Sequence, residues 1–470
     1  MKYLIFAALV AAAVTACGGG GGGSAPASGH PGDPAITSQA DSILHIDQLR
    51  AAGFRGAGVR VGVISTGVAD LASYQRAGTL PASLFISQNF PGQLDEGSWM
   101  LELVHQSAPD AALGFCDGSD LDFDGCVKDL ATTFGADVIV DDLLFTGQYY
   151  PASTQFTVAQ LESANDNLVF IHLSGNEQNG GYWQGNFVPV ESQIGGAAKT
   201  LLDFGVASGA ASNNVDSVTV PAGKHLFVFV GWNDPPNDAG NHALTGYLLD
   251  SGFNVLKQAS GQAQPSLMVD YMNGGTQAVT VHLAVSLDSG SANGLAVQFT
   301  EGAPTCNIEC QAFAFSTSGL AGGTVGNFDD ALVVGATNAG HPQTLEAWSN
   351  HGPFRYDFSA TPDAAASDGF DYVRLAAPVQ SLKPDLVAPD CVTTPFSNGT
   401  TLNNENFCGT SAAVPAVAAA AALLRNAGFN RVQILKALRS TAVPIGARPW
   451  DPAYGFGLVD AFAAWKSGGN

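Results

Sequence analysis

Positive charge is what this chain has least of. Its 470 residues carry 18 Lys plus Arg against 41 Asp plus Glu, a formal net charge of −23. Such a chain repels phosphate backbones, which excludes nucleic acid as a partner. Charged residues of both signs make up 13% and hydrophobic residues 46%. That balance excludes a disordered chain and allows a sizeable core. No Cys-x-x-Cys pair occurs, so no zinc-finger pattern is present. The Trp232–Asp238 loop carries carboxylates and amides of the kind that hold calcium, but a plain polar loop reads the same way. The sequence therefore calls for no metal and no cofactor. Beyond the N-terminus no apolar run is free of polar breaks except the segment after Ser411, which is short and ends at Arg425. A buried helix explains that segment better than a membrane span.

The N-terminus is a targeting segment. Lys2 precedes an apolar run from Tyr3 to Val14, followed by Thr15-Ala16-Cys17. Small residues before a cysteine resemble a bacterial lipoprotein signal, so residues 1–16 are expected to be cleaved and Cys17 lipidated. Residues 17–37 then form a Gly- and Ser-rich tether. The expected location is the outer membrane or cell surface, with the periplasm as the other possibility and the lipid on Cys17 as the only membrane contact. Seven cysteines are present. With Cys17 assigned to the signal, the rest fall into local pairs, Cys116 with Cys126, Cys306 with Cys310 and Cys391 with Cys408. An oxidising compartment would let them bridge.

Between residues 38 and 195 apolar β-branched runs alternate with helical patterns. Val59–Ile64, Ala111–Phe115, Ala136–Val140 and Leu168–Leu173 read as strands, and Ser38–Gly53, a pattern opening at Leu94–Gly97, Asp122–Phe134 and Gln155–Asn165 as helices. Alternation of this kind implies an α/β fold with a doubly wound, mostly parallel sheet. Ligands in such sheets sit beyond the carboxyl ends of strands, where Ser65, Asp142 and Asn176 lie. From 196 to 303 short alternating runs are separated only by turn signals, which reads as an inserted antiparallel β-sandwich. The α/β texture resumes over 304–470, with a strand at Ala331–Ala336 and a helix at Val432–Ser440. Between them, Phe407-Cys408-Gly409-Thr410-Ser411 opens an alanine-rich helix. A hydroxyl at a helix N-terminus can be a nucleophile if a base is near, or simply a cap. Pro415 is expected in the first turn.

Taken together, Val61–Gly67, Ala136–Asp142, Ser174-Gly175-Asn176-Glu177, Lys383-Pro384-Asp385-Leu386-Val387-Ala388-Pro389, Gly409–Pro415 and Tyr454–Ala461 resemble the subtilisin-like serine peptidase superfamily, the subtilases and sedolisins. The resemblance implies a serine endopeptidase acting on polypeptide, with Ser411 as nucleophile and Asn176 as oxyanion donor. Subtilases have an aspartate where this chain has Ser65, and a His-Gly-Thr motif where it has Glu96-Gly97-Ser98. Sedolisins place a glutamate at that helix position, and Asp95-Glu96-Gly97 resembles a group of bacterial relatives with an Asp-Glu-Gly motif. Glu96 is thus the candidate base, with an acid-side optimum. Met100 stands where sedolisins carry their aspartate, and Glu102 faces away from Glu96 on a helix. Asp142 is therefore the candidate third member, ahead of Asp70 and Asp95. Asp141 should point to the opposite face of its strand, and His172 reads as a core histidine. The competing expectation is a catalytically inactive relative serving as a protein- or glycan-binding module. Either way the chain is expected to be a monomer. If Cys17 is the lipid anchor, Cys17→Ala should move the chain from the membrane to the soluble fraction, as read by fractionation and palmitate labelling.

Overall fold

The computed structural model describes residues 37–87, 94–118, 123–145, 149, 153–165, 167–178, 180–235, 241–261, 265–302, 313–317, 319, 323, 331–363, 365, 370–399 and 401–468. The signal segment, Cys17, most of the tether, the Cys306–Cys310 pair and residues 236–240 of the Trp232–Asp238 loop lie outside the described residues.

The N-terminal helical pattern is two helices, α1 (Gln39–Ile43) and α2 (Ile46–Ala51), because His45 between them adopts a left-handed conformation at φ 56. There follow β1 (Arg60–Ser65), α3 (Leu71–Ala77), β2 (Phe85–Ile86), α4 (Glu96–Ser107) and β3 (Ala112–Asp117). Next come α5 (Phe123–Asp129), continued by a π turn at Leu130–Phe134, β4 (Val138–Asp141), α6 (Ser153–Ala164) and β5 (Val169–Leu173). Apart from Arg60 and Ala112 at the leading ends of β1 and β3, the described residues of β1, β3, β4 and β5 are buried. Two-sided burial explains why these strands read as continuous apolar runs rather than alternating ones.

The antiparallel insertion begins earlier than residue 196. β6 (Tyr182–Asn186) and β7 (Pro189–Ile194) already belong to it, since β6 pairs with β15 (Ala296–Gly302) and β7 with β8 (Ala197–Leu202). The polar residues of Tyr-Trp-Gln-Gly-Asn and Pro-Val-Glu-Ser-Gln-Ile hide the period of two that marks a half-exposed strand. After α7 (Phe204–Ala207) the chain adds β9 (Asp216–Val220), β10 (His225–Trp232), β11 (Ala243–Leu249), β12 (Val255–Gly261), β13 (Ser266–Met272) and β14 (Val279–Ser289). One sheet runs β13-β10-β15-β6 and the other β12-β11-β14-β8-β7, with β9 on β14. Trp183, Phe204, Trp232 and Phe299 fill the space between them. Asp234 accepts from Trp232 Nε1 at 3.0 Å and meets His242 Nδ1 at 2.9 Å, so its carboxylate serves the loop's own folding.

The last segment returns to the first. It contributes β16 (Leu332–Asn338), β17 (His341–Leu345), β18 (Phe354–Pro362), β19 (Phe370–Ser381), β20 (Leu386–Asp390), β21 (Val392–Ser397) and β22 (Leu402–Phe407). Three helices close the chain, α8 (Thr410–Asn426), α9 (Arg431–Thr441) and α10 (Ala461–Ser467). β16 joins β5 in parallel and carries β20, which completes an eight-stranded sheet ordered β17-β16-β5-β4-β1-β3-β2. All its pairings are parallel except β16 with β17.

Helix α8 crosses this sheet, touching α4, β4, β5, β16 and β20, and is buried from Thr410 to Leu424. A face of alanines lets its backbone come close to the strands. Pro415 is its sixth residue, not in the first turn, because the helix begins at Thr410. The missing N–H there deprives the Ser411 carbonyl of its helical partner. Among the described residues no helix is long and apolar enough to cross a membrane.

Helix α4 is buried along most of its length, polar residues included. Glu102 is 1% exposed, with the Thr79 hydroxyl beside it, and burial pushes its carboxyl up to about 8. The folded-state value lies above the ordinary 4.5. Between those two pH values the native state holds a proton that the unfolded chain has lost, so stability falls as pH rises through that window. Glu102→Gln should remove this component and raise stability at pH 8 by on the order of 2 kcal/mol, with little change at pH 5. Denaturant melts at both pH values check this; an unchanged difference between them would clear Glu102 of the effect.

Candidate active site

Ser411, Glu96, Asp142 and Asn176 are brought together at the carboxyl ends of the parallel strands. β1 ends on Ser65, and Thr66-Gly67 leads away from it. The N–H of Gly97 donates to the Gly67 carbonyl at 2.9 Å, which draws the start of α4 against the end of β1. A Cβ at residue 97 would collide with the Phe115 ring and with that carbonyl, so glycine is required after Glu96. Glu96 is the first residue of α4 and 5% exposed. Ser411 is the second residue of α8, behind Gly409 at φ 109, a conformation open to glycine.

The Glu96 carboxyl is approached by the Ser411 and Thr66 hydroxyls and by the Asp142 carboxyl, with Thr66 Oγ1 at 3.4 Å from Oε2. Burial is the largest influence and holds Glu96 above the usual carboxylate range, against the three contacts. Asp142, the residue after β4, accepts from Ser65 Oγ at 3.1 Å through Oδ2. No N–H or O–H of the described residues reaches its buried Oδ1. Burial first and the Glu96 charge second push Asp142 well up. Two carboxyls in one dry space cannot both ionise at moderate pH, so the pair retains a proton. Asp142 bears it, directed at Glu96, since Ser65 already donates to the other oxygen.

Asn176 lies three residues beyond the end of β5. Its Oδ1 accepts from Thr410 N at 3.0 Å and from Thr410 Oγ1 at 2.9 Å. Two donors on one atom fix which end of the amide is oxygen. The Nδ2 end then faces Gly409, where a Cβ would stand 3.6 Å from it and 3.9 Å from Ser411 Oγ. An amide donor beside a nucleophilic hydroxyl has the geometry of an oxyanion site. Glu177 steadies it from behind, with Oε2 accepting from Asn176 N at 2.8 Å and from Asn350 Nδ2 at 2.6 Å. Asn350 Oδ1 accepts from Glu177 N at 2.8 Å in return. Burial pushes Glu177 up to about 7.

The other acids are elsewhere. Asp141 and His172 form a fully buried pair at 2.8 Å on the opposite face of the sheet from Asp142. Asp95 is occupied by Tyr74 OH at 2.7 Å, Ser98 Oγ at 2.7 Å and the N–H of Asp70 at 3.1 Å. Asp70 precedes α3 and donates to Asp95 through its backbone N–H. Two residues that the motifs did not mark as active take part, Ser65 and Thr66; their position at a strand end beside Gly67 was the available signal. Cys391 and Cys408 are bridged, closing the β21–β22 hairpin directly before Gly409, and Cys116 is bridged to Cys126. Asp390, Cys391 and Cys408 cluster tightly enough for a metal, but the sulfurs are spent in the disulfide.

Residues 305–457 match the subtilase family. Over that segment the chain is similar to the subtilases. Its fold is also that of the Clostridium perfringens CspB protease, at a TM-score of 0.51 and 13% identity over 91% of this chain and 98% of that one. MycP1 from the ESX-1 type VII secretion system aligns at a TM-score of 0.40 and 15% identity, over 92% and 87% of the two chains. Among curated proteins no sequence matches. The similarity to subtilases over that segment supports a serine-type peptidase with a polypeptide substrate. If the Asn176 amide receives the oxyanion, Asn176→Ala should lower kcat about 10²- to 10³-fold with KM changed by no more than about twofold in steady-state cleavage assays.

Proposed function

We propose that the chain is a serine endopeptidase of the serine–carboxyl type. The observation that carries this reading is the Glu96 carboxyl set against the Ser411 hydroxyl and backed by Asp142. Glu96 takes the Ser411 proton as Oγ attacks the peptide carbonyl. The oxygen of the tetrahedral intermediate is received by Asn176 Nδ2 and the first-turn N–H of Ser411. Glu96 then protonates the departing amine, which leaves an acyl-enzyme on Ser411. Water attacks that ester and loses a proton to Glu96, which passes it to Oγ as the acid product leaves, and both Ser411 and Glu96 are regenerated. Asp142, kept neutral, donates to Glu96 and orients it, and the Ser65 hydroxyl holds Asp142 in place.

The active form carries one proton on the acid pair. Cleavage therefore rises as the first proton leaves and falls as the second leaves. Because Glu96 is pushed up to about 7 and Asp142 well up, the bell lies at neutral pH and above, not in the ordinary carboxylate range. The chain is exported and lipid-anchored in the same reading, which the two bridges support because disulfides persist in oxidising compartments.

A binding module is the second reading, favoured by one observation: Ser411 is only 1% exposed. A fluorophosphonate probe and an unfolded protein substrate, applied from about pH 3 to 8, separate the two. Labelling and cleavage lost in both Ser411→Ala and Glu96→Gln support the peptidase. A parent chain that neither labels nor cleaves at any pH supports the binding module instead.

A further inference from the structure

One buried carboxyl next to the nucleophile turn has no part in the chemistry above. Asp390 is the last residue of β20, opposite Asn338 of β16, and is fully buried. Its Oδ2 accepts the N–H of Gly409 at 3.1 Å. Gly409 is the N-cap of α8, and Ser411 follows two residues later. The neighbour of Asp390 in the chain, Cys391, is bridged to Cys408, the neighbour of Gly409. The turn is thus gripped twice at one point, by a covalent bridge and by a hydrogen bond.

The remaining oxygen of Asp390 gives the contact its character. Oδ1 is buried, and no N–H or O–H of the described residues donates to it. The titratable group that acts on it most is the Glu346 carboxyl, which follows β17. The cysteine sulfurs do not titrate. Glu346 is itself held by Asn338 Nδ2 at 2.8 Å on Oε1. Asp390 is buried and Glu346 half-buried, so burial and the neighbouring carboxyl favour the protonated form of Asp390, and its proton satisfies the orphaned oxygen.

We propose that Asp390 is a positioning residue for Ser411: tied to Glu346 and adjoining the Cys391–Cys408 bridge, its carboxyl holds the Gly409 N–H and with it the turn that presents the hydroxyl to Glu96. The role rests on the peptidase reading. Burial first and Glu346 among the further causes push Asp390 up to about 8. Asp390 therefore keeps its proton on the acid side and loses it as pH rises through that value, and in either form an oxygen remains to accept the Gly409 N–H.

The test compares Asp390→Asn with Asp390→Ala in the full chain. Asparagine keeps an acceptor for Gly409 N–H and supplies a donor to Glu346, but it does not titrate. Alanine supplies neither. The expected result is a fall in kcat for Asp390→Ala of about ten- to a hundredfold at unchanged KM, against rescue by Asp390→Asn. Hydrogen exchange of the peptide spanning Phe407–Ala412 should quicken in Asp390→Ala and not in Asp390→Asn. Overturning results are an Asp390→Ala chain with parental kcat and exchange, or an Asp390→Asn chain as impaired as Asp390→Ala. A parent chain that neither labels with fluorophosphonate nor cleaves overturns the peptidase reading itself, and is told apart because it needs no variant.

Discussion

Two carboxyl groups that cannot both be charged, Glu96 and Asp142, are the constraint on which the rest of this site depends. A histidine base would be neutral when ready to act and cationic after taking a proton. A glutamate base is anionic when ready and neutral afterwards. With Glu96 as the proposed base, the groups around it must stabilise a negative charge before the reaction, and Thr66, Ser411 and a protonated Asp142 are placed to donate to it. The Ser65 side chain follows from the same logic. An aspartate at the end of β1 would add a third charge to a dry pocket, whereas the serine there donates to Asp142.

The same preference for neutral acids recurs away from the site. Glu102 and Glu301 are held up to about 8, and Glu177 and Asp216 to about 7, in each case with burial as the main cause. With 41 acidic and 18 basic residues the chain has too few cations to pair every buried carboxylate. Protonation takes the place of ion pairing. Folding such a chain is thus compatible with acid surroundings in a way that a salt-bridged core is not, because acid removes the partner charge from a carboxylate in an ion pair but supplies what these acids need.

The central sheet was legible because its strands are buried on both faces and so appear as plain apolar runs. Ser411 and Asn176 were legible through the motifs around them, and Asp142 through its position at a strand end. Several features were not. β6 and β7 were hidden by polar residues, and β19 and β22, one strand of each of two hairpins, are sparsely buried and so lack an apolar stripe. The break between α1 and α2 turns on one left-handed residue, His45, of a type that gives no turn signal. Pro415 was misplaced because the sequence shows where a helix can begin but not where its first hydrogen bond falls. Asp390 carried no signal at all: its partners, Glu346 and Gly409, are 44 and 19 positions away only in sequence, and the fold makes them neighbours.

The neighbouring aspartates of β4 carry a last consequence. Asp141 and Asp142 are chemically identical, yet one faces His172 across the sheet interior and the other faces Glu96. A shift of β4 by one residue in either direction would leave an aspartate at only one of the two places, with Val140 facing His172 or Leu143 facing Glu96. Only the observed register gives a carboxylate to His172 and to Glu96 at once. The histidine on the far side of the sheet is thus one half of a positional key for the acid on the near side, and the alignment of Asp142 depends on a residue outside the proposed chemistry.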